Sequence, residues 1–191
     1  MMDLANRQSD EWLMGQVARG SREHLAPLVR RYASPLLTYI QRMIGDRHRS
    51  EELFQEVFMA VWVKRKQYKF PRRFRAWLYA IATNRCRDDF RRTRTVTLGQ
   101  FDDASASVLT GGNPSPQETA VAAETATLVD TAVARLSEQQ RTVVVLRTWN
   151  GMSYAEIGEV VGCGESTARS YMHHALTSLR RFLEPRMRED G

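Results

Sequence analysis

Residues 153–182 read SYAEIGEVVGCGESTARSYMHHALTSLRRF, two helical patterns separated by a turn with glycine on both sides. Ser153 stands three residues before Glu156, the spacing of a capping box in which each side chain satisfies an orphan backbone N–H at a helix start. Tyr154, Ile157, Val160 and Val161 recur at helical spacing, and Gly162 stands where a left-handed cap ends such a helix. From Glu165 a second helix is expected, with Ala168, Met172, Ala175, Leu176, Leu179 and Phe182 on an apolar face. Ser166, Arg169, Ser170, His173 and Thr177 fall on the other face, which is short and polar. A helix pair of this kind offers its second helix to the major groove of DNA. An ordinary helical hairpin with a solvated polar face fits the same pattern, so the rest of the chain decides between them.

Working outward, the 191 residues permit one domain or two small ones. No apolar run approaches the length of a bilayer span, and the first residues, MMDLANRQSDEW, form neither a basic nor an apolar segment of a secretion signal. A cytoplasmic protein without membrane insertion is expected. Cys86 and Cys163 lie far apart, fit no paired metal spacing and sit among apolar helical neighbours, so both are expected as buried thiols. His24, His48, His173 and His174 include no i, i+4 pair, and no metal site or cofactor is expected.

The net charge of +6 is not spread evenly. Residues 64–94 hold twelve basic and two acidic side chains, whereas the flanking segments 1–63 and 128–191 are each balanced. This band, KRKQYKFPRRFRAWLYAIATNRCRDDFRRTR, interleaves its cations with Tyr68, Phe70, Phe74, Trp77, Tyr79 and Phe90. Arginines contact phosphates and aromatic faces stack on unpaired bases, the combination expected of a single-strand binder rather than of a plain solvated helix face.

Periodicity is helical from about residue 9 to residue 92, with breaks near Gly20, at Gly45-Asp46 and around Phe70-Pro71. Asp46 is a candidate N-cap for a helix that turns Leu53, Phe54, Val57, Phe58, Val61 and Trp62 toward a core. Its opposite face carries Glu52, Gln55, Glu56 and Met59, whose i, i+3, i+4, i+7 spacing makes one exposed stripe. Pro71 separates this helix from one over 73–92, with Phe74, Trp77, Leu78, Ile81 and Phe90 as core candidates. Trp77 reads as mainly structural, and Tyr79 as nearer the polar face. Residues 96–127, with GGNPSP at their centre and no basic residue, read as a flexible acidic linker. Helical periodicity returns at Thr127, and Ser137 with Gln140 forms another capping box ahead of Val143, Val144, Leu146 and Trp149, all expected in a second core. The expected fold is all-α: two small helical domains, 1–95 and 128–191, joined by the linker.

Three segments together resemble a known family: ELFQEVF, FRAWLYAIATN, and LSEQQRTVVVLRTWNGMSYAEIGEVVGCGESTARS after the linker. In this order and separation they are similar to a bacterial RNA polymerase sigma factor of the extracytoplasmic-function group. The resemblance implies a region 2 domain that binds the polymerase clamp and opens the minus-10 element, and a region 4 domain that reads the minus-35 element. Glu52, Gln55, Glu56 and Met59 become the polymerase-binding residues, with Glu52 in place of the family's usual aspartate. Tyr68, Lys69, Phe70, Arg72, Arg73, Phe74, Tyr79, Asn84, Arg87 and Arg91 become minus-10 contacts. The loop YKFPRRF, which departs from the more usual Gly-Asp-Ser type, would hold a flipped non-template base. Ser166, Thr167, Arg169, Ser170 and His173 become minus-35 contacts, and Tyr171 replaces a commonly basic residue. The implied partners are the polymerase core, through the clamp of the β′ subunit and the flap of the β subunit, and promoter DNA, duplex and melted. An anti-sigma protein is a further partner that the resemblance allows.

Duplex opening needs no covalent chemistry, so no catalytic residue is expected. A stand-alone helix-turn-helix regulator is the alternative; it accounts for the C-terminal residues but leaves the stripe and the basic band unexplained. A nuclease lacks a carboxylate or histidine cluster of metal-binding spacing. With the chain ending at Gly191, control is expected to lie in another protein or in expression.

Overall fold

A computed structural model describes residues 9–97 and 118–189, with side chains described over 9–93 and 126–184. Among the described residues the regular structure is helical throughout. The N-terminal half is built from α1 (Asp10–Ala18), α2 (Leu25–Ile44), α3 (Arg47–Val63), a 3-10 turn (Arg65–Gln67) and α4 (Phe74–Thr97). The C-terminal half contains α5 (Glu118–Ala134), α6 (Glu138–Thr148), α7 (Tyr154–Val161) and α8 (Glu165–Glu189).

Local chemistry sets the boundaries. The Asp46 carboxylate accepts from the Arg49 backbone N–H at 2.7 Å and starts α3, directly after Gly45 closes α2 at a φ of 83° that a side chain would resist. Ser137 with Gln140 and Ser153 with Glu156 both form complete capping boxes. In α1, the Glu11 carboxylate accepts the Phe74 backbone N–H at 3.2 Å, so one helix caps the next. The linker expected over 96–127 is shortened from its C-terminal side, because α5 begins at Glu118 rather than at Thr127; residues 98–117 lie outside the described residues.

The larger core joins Leu28, Leu36, Tyr39, Ile40 and Met43 of α2 to Leu53, Val57 and Val61 of α3 and to Phe74, Leu78, Ala82 and Cys86 of α4. Each large side chain buried here contributes about 1.5–3 kcal/mol. Val143, Leu146, Met152, Ile157, Ala168 and Ala175 form the C-terminal part of the core. The two halves pack together, α7 against α4 and both α5 and α6 against α2. Arg141 of α6 donates to the Met43 carbonyl at 2.7 Å across this junction, and burial lowers its guanidinium from the ordinary arginine value.

Several side chains depart from their expected positions. Tyr68, Phe74 and Tyr79, expected at melted DNA, are 5%, 0% and 1% exposed, because their rings fill space between helices. Trp149 lies outside the C-terminal core, 36% exposed beneath the Arg42 guanidinium at 4.0 Å, and Leu176 points to solvent at 51%. Cys86 is buried as expected, whereas Cys163 is only half-buried. No helix of the described residues is long and apolar enough to cross a membrane.

Candidate nucleic-acid interface

Along α3, Glu52, Gln55 and Met59 are exposed and Glu56 is half-buried, so the stripe forms a continuous surface. Its carboxylates are held in place. Arg49, one turn before Glu52, reaches Glu52 at 2.7 Å and Glu56 at 3.2 Å through Nη1, while its Nε donates to Asp89 of α4 at 2.7 Å. Arg85 of α4 stands 3.8 Å from Glu56. Arg49 was not among the expected site residues, although its i, i+3, i+7 relation to Glu52 and Glu56 is visible in the sequence.

The loop between α3 and α4 is anchored by its buried aromatics and exposes its cations. The Tyr68 hydroxyl donates to the Arg72 carbonyl, and the Tyr68 ring meets Trp77 edge-on at 5.3 Å. Burial is the main cause that pushes the Tyr68 phenol well above its ordinary value, so it remains a neutral donor. Lys69, Phe70, Arg72 and Arg73 stay exposed, Phe70 at 54%. Phe70 and Tyr68 border a cavity of about 480 Å³ whose other wall is α1, with Trp12, Gly15 and Gln16, and whose cations are Arg19 and Lys66. The α1 wall was not foreseen, because nothing local in residues 10–19 signals what packs opposite them. Further along α4, Asn84, Arg87 and Arg91 form one line at i, i+3, i+7 spacing, and Arg87 donates to Asn84 at 3.4 Å.

The helix-turn-helix has the expected form. Gly162 closes α7 at a φ of 78°, with its N–H donating to the Gly158 carbonyl. Ser166, Thr167, Arg169, Ser170 and His173 of α8 are all exposed. Arg169 pairs with Glu165 and lies 4.6 Å above the Tyr154 ring, so Tyr154 is a platform for the cation as well as a packing residue. Glu156 is partly buried, which opposes ionisation, but hydrogen bonds from the Ser153 backbone and hydroxyl and the charges of Arg73 and Arg75 outweigh this and hold it below the ordinary carboxylate value.

Gly158 is the tightest point of the motif. A Cβ there would lie 2.7 Å from the Cys163 carbonyl oxygen and 3.5 Å from the Gly164 carbonyl carbon, both backbone atoms of the turn. Gly158→Ala would gain about 1 kcal/mol of helix propensity yet force the turn outward at an overpacking cost of about 1–3 kcal/mol. A lower melting temperature by circular dichroism, with weaker duplex binding, is the expected result; an unchanged or raised one would show that the turn yields freely.

Comparison with known proteins agrees with this geometry. The family model for Sigma-70 region 2 matches residues 28–96, and that for Sigma-70, region 4 matches residues 126–179. The chain is similar to the ECF RNA polymerase sigma factor SigW of Bacillus subtilis (strain 168), 28% identical over 174 residues that cover 88% of this chain and 93% of the relative. It is 30% identical over 154 residues to the ECF RNA polymerase sigma factor SigL of Mycobacterium tuberculosis (strain ATCC 25618 / H37Rv), covering 80% and 85%. Its fold is similar to that of the sigma factor RpoE in complex with the anti-sigma factor NepR from Bartonella quintana, with a TM-score of 0.69 at 20% identity over 82% of this chain and 94% of that one.

Proposed function

The chain belongs to the sigma-70 family, in its extracytoplasmic-function group, and from that premise we infer that it binds bacterial RNA polymerase core and directs it to promoters. The observation that carries the reading is the presence in one chain of three surfaces of different chemistry. These are an acidic and methionine stripe on α3, a cationic loop beside an aromatic cavity, and an exposed polar recognition helix. A stand-alone helix-turn-helix regulator has use for the third alone.

We assign Glu52, Gln55, Glu56 and Met59 to the polymerase clamp, with Arg49 orienting the two carboxylates. At the minus-10 element, Lys69, Arg72 and Arg73 hold the backbone of the separated strand. The cavity beside Phe70 and Trp12 takes the extruded base, whose unstacking costs a few kcal/mol that cations and aromatic contact offset. Asn84, Arg87 and Arg91 continue this contact line along α4. Tyr68, Phe74 and Tyr79 shape the site from within the core. The protein does no covalent chemistry, and its work lies in the cytoplasm with polymerase and chromosome. An anti-sigma protein is a third proposed partner, on the resemblance and on the NepR complex of the structural relative.

Co-purification with core, followed by run-off transcription over a promoter library, tests the whole reading: no association with core would overturn it. At the minus-35 element, Arg169→Ala is expected to weaken binding by about 1–3 kcal/mol if the guanidinium makes a bidentate base contact, and by less if it touches only phosphate. Scanning the promoter sequence separates the two, since a base contact makes the loss depend on sequence. Unchanged binding would show that another part of α8 faces the groove.

A further inference from the structure

Helix α1 divides its residues between two faces. Leu13, Met14 and Val17 are buried in the core. Trp12, Gly15, Gln16 and, at the C-cap, Arg19 follow one another at i, i+3, i+4, i+7 and border the cavity opposite Phe70. Helical period therefore sets four residues of α1 along one side of this space.

Gly15 keeps the space open. A glycine inside a helix is unfavourable relative to alanine, yet nothing crowds this one: a Cβ would meet only the Phe70 ring, at an ordinary contact distance of 4.0 Å. The missing side chain thus serves the cavity and not the packing of the helix. Phe70 and Trp12, whose ring is held edge-on by His24 at 5.3 Å, give the space aromatic sides. Such sides suit a flat base, and a two-ring base offers them the larger stacking area.

The polar side chains that border the cavity differ in chemistry. Trp12, Arg19 and Lys66 can only donate, and the Tyr68 hydroxyl is engaged with the Arg72 carbonyl. The Gln16 amide presents a carbonyl acceptor beside N–H donors. Arg19 and Lys66 are exposed whereas Gln16 is half-buried, which places the cations for backbone phosphates and the amide for a base edge. The Gln16 backbone carbonyl accepts from the N–H groups of Arg19 and Ser21, both at 3.1 Å, and this fixes the main chain that carries the amide.

Resting on the assignment of this cavity to the extruded base, we propose that Gln16 selects that base and that the base is adenine. The amide carbonyl accepts from the exocyclic amine while an amide N–H donates to the adjacent ring nitrogen, the bidentate pairing that glutamine makes with adenine. Guanine and thymine replace the amine with a carbonyl. Cytosine keeps the amine but offers one ring to the aromatic sides. Sequence reading at this site then belongs to α1, and the loop before α4 supplies a wall and cations.

The test uses holoenzyme assembled from core and the full-length chain, on duplexes already unpaired across the minus-10 region, with each unpaired non-template base varied in turn. Competition against a fluorescent template reads relative affinity. Wild type should favour adenine at one position by roughly fivefold to 100-fold. Gln16→Met, which keeps the length of the side chain, should level that preference, and so should replacing the adenine with purine, which lacks the amine. The two changes together should cost no more than either alone, a result that a merely structural role of Gln16 would not give. Gly15→Leu fills the cavity and should weaken binding whichever base stands there, and Gly15→Ala, which fits without moving the backbone, should do so to a smaller degree. An adenine preference that survives Gln16→Met would overturn the proposal. So would the absence of an adenine preference at every position, or a guanine preference that Arg19→Ala removes. If both Gly15 variants bind every template as wild type does while core binding is normal, the cavity takes no base, and its minus-10 assignment falls together with the proposal. If Gly15→Leu weakens binding but Gln16→Met keeps the preference, that assignment stands and the role of Gln16 alone is withdrawn.

Discussion

Gln55→Lys/Glu56→Lys is expected to reduce affinity for polymerase core by about 100-fold or more while leaving the fold intact, a loss typical of reversing charge at the centre of a complementary interface. The two side chains lie on the outer face of α3 between Glu52 and Met59, so their replacement opens no cavity. The local cost is electrostatic. Arg49 loses its 3.2 Å contact with Glu56 but keeps Glu52 and Asp89, and Arg85 loses a contact of 3.8 Å. Pairs as exposed as these contribute about 1 kcal/mol or less, far below what unfolds a domain. Pull-down of core by the variant, with its helical content checked by circular dichroism, separates loss of interface from loss of fold. Undiminished capture of core by the folded variant would remove the stripe from the polymerase interface.

What the sequence made legible was the local chemistry. Asp46, Ser137 and Ser153 start helices, and Gly45 and Gly162 end them, as side-chain caps and left-handed glycines require wherever they stand. The outward direction of the α3 stripe followed from helical period alone. Side chains whose position depends on distant packing were less legible. Tyr79 reads as polar-facing on its own helix, yet Tyr39 from α2 and Asn150 from beyond α6 bury it. Trp149 reads as core by hydropathy, but the N-terminal half supplies Arg42 as its neighbour and leaves it at the junction. The start of α5 was obscured in a similar way. Residues 118–126 are alanine-rich and helix-compatible, but their Thr content and their proximity to GGNPSP gave them the composition of a linker. The docking of the two halves had no local signal, since it joins residues 51 to 115 positions apart.

Arg72→Ala/Arg73→Ala is expected to lower open-complex formation on a duplex promoter by tenfold or more, and on a template already unpaired across the minus-10 region by only a few-fold. Both side chains are exposed in the loop beside Phe70, and the Arg72 group that anchors the loop is its backbone carbonyl, which accepts the Tyr68 hydroxyl and survives the substitution. The loop should therefore keep its shape while losing two cations. On duplex DNA those cations act while strands separate, because they compensate the phosphates of a strand whose bases have lost their stacking partners. On premelted DNA that cost has been met in preparing the template, and only general phosphate attraction is lost. Arg73 also pairs with Glu156, so its removal costs one exposed contact with α7. That effect cancels when both templates are compared within one holoenzyme. Permanganate reactivity of unpaired thymines and run-off yield on the two templates provide the comparison. A defect of equal size on both would reduce the two arginines to general phosphate contacts, and the melting step would have to be carried elsewhere, with the cavity between Trp12 and Phe70 the next surface to alter.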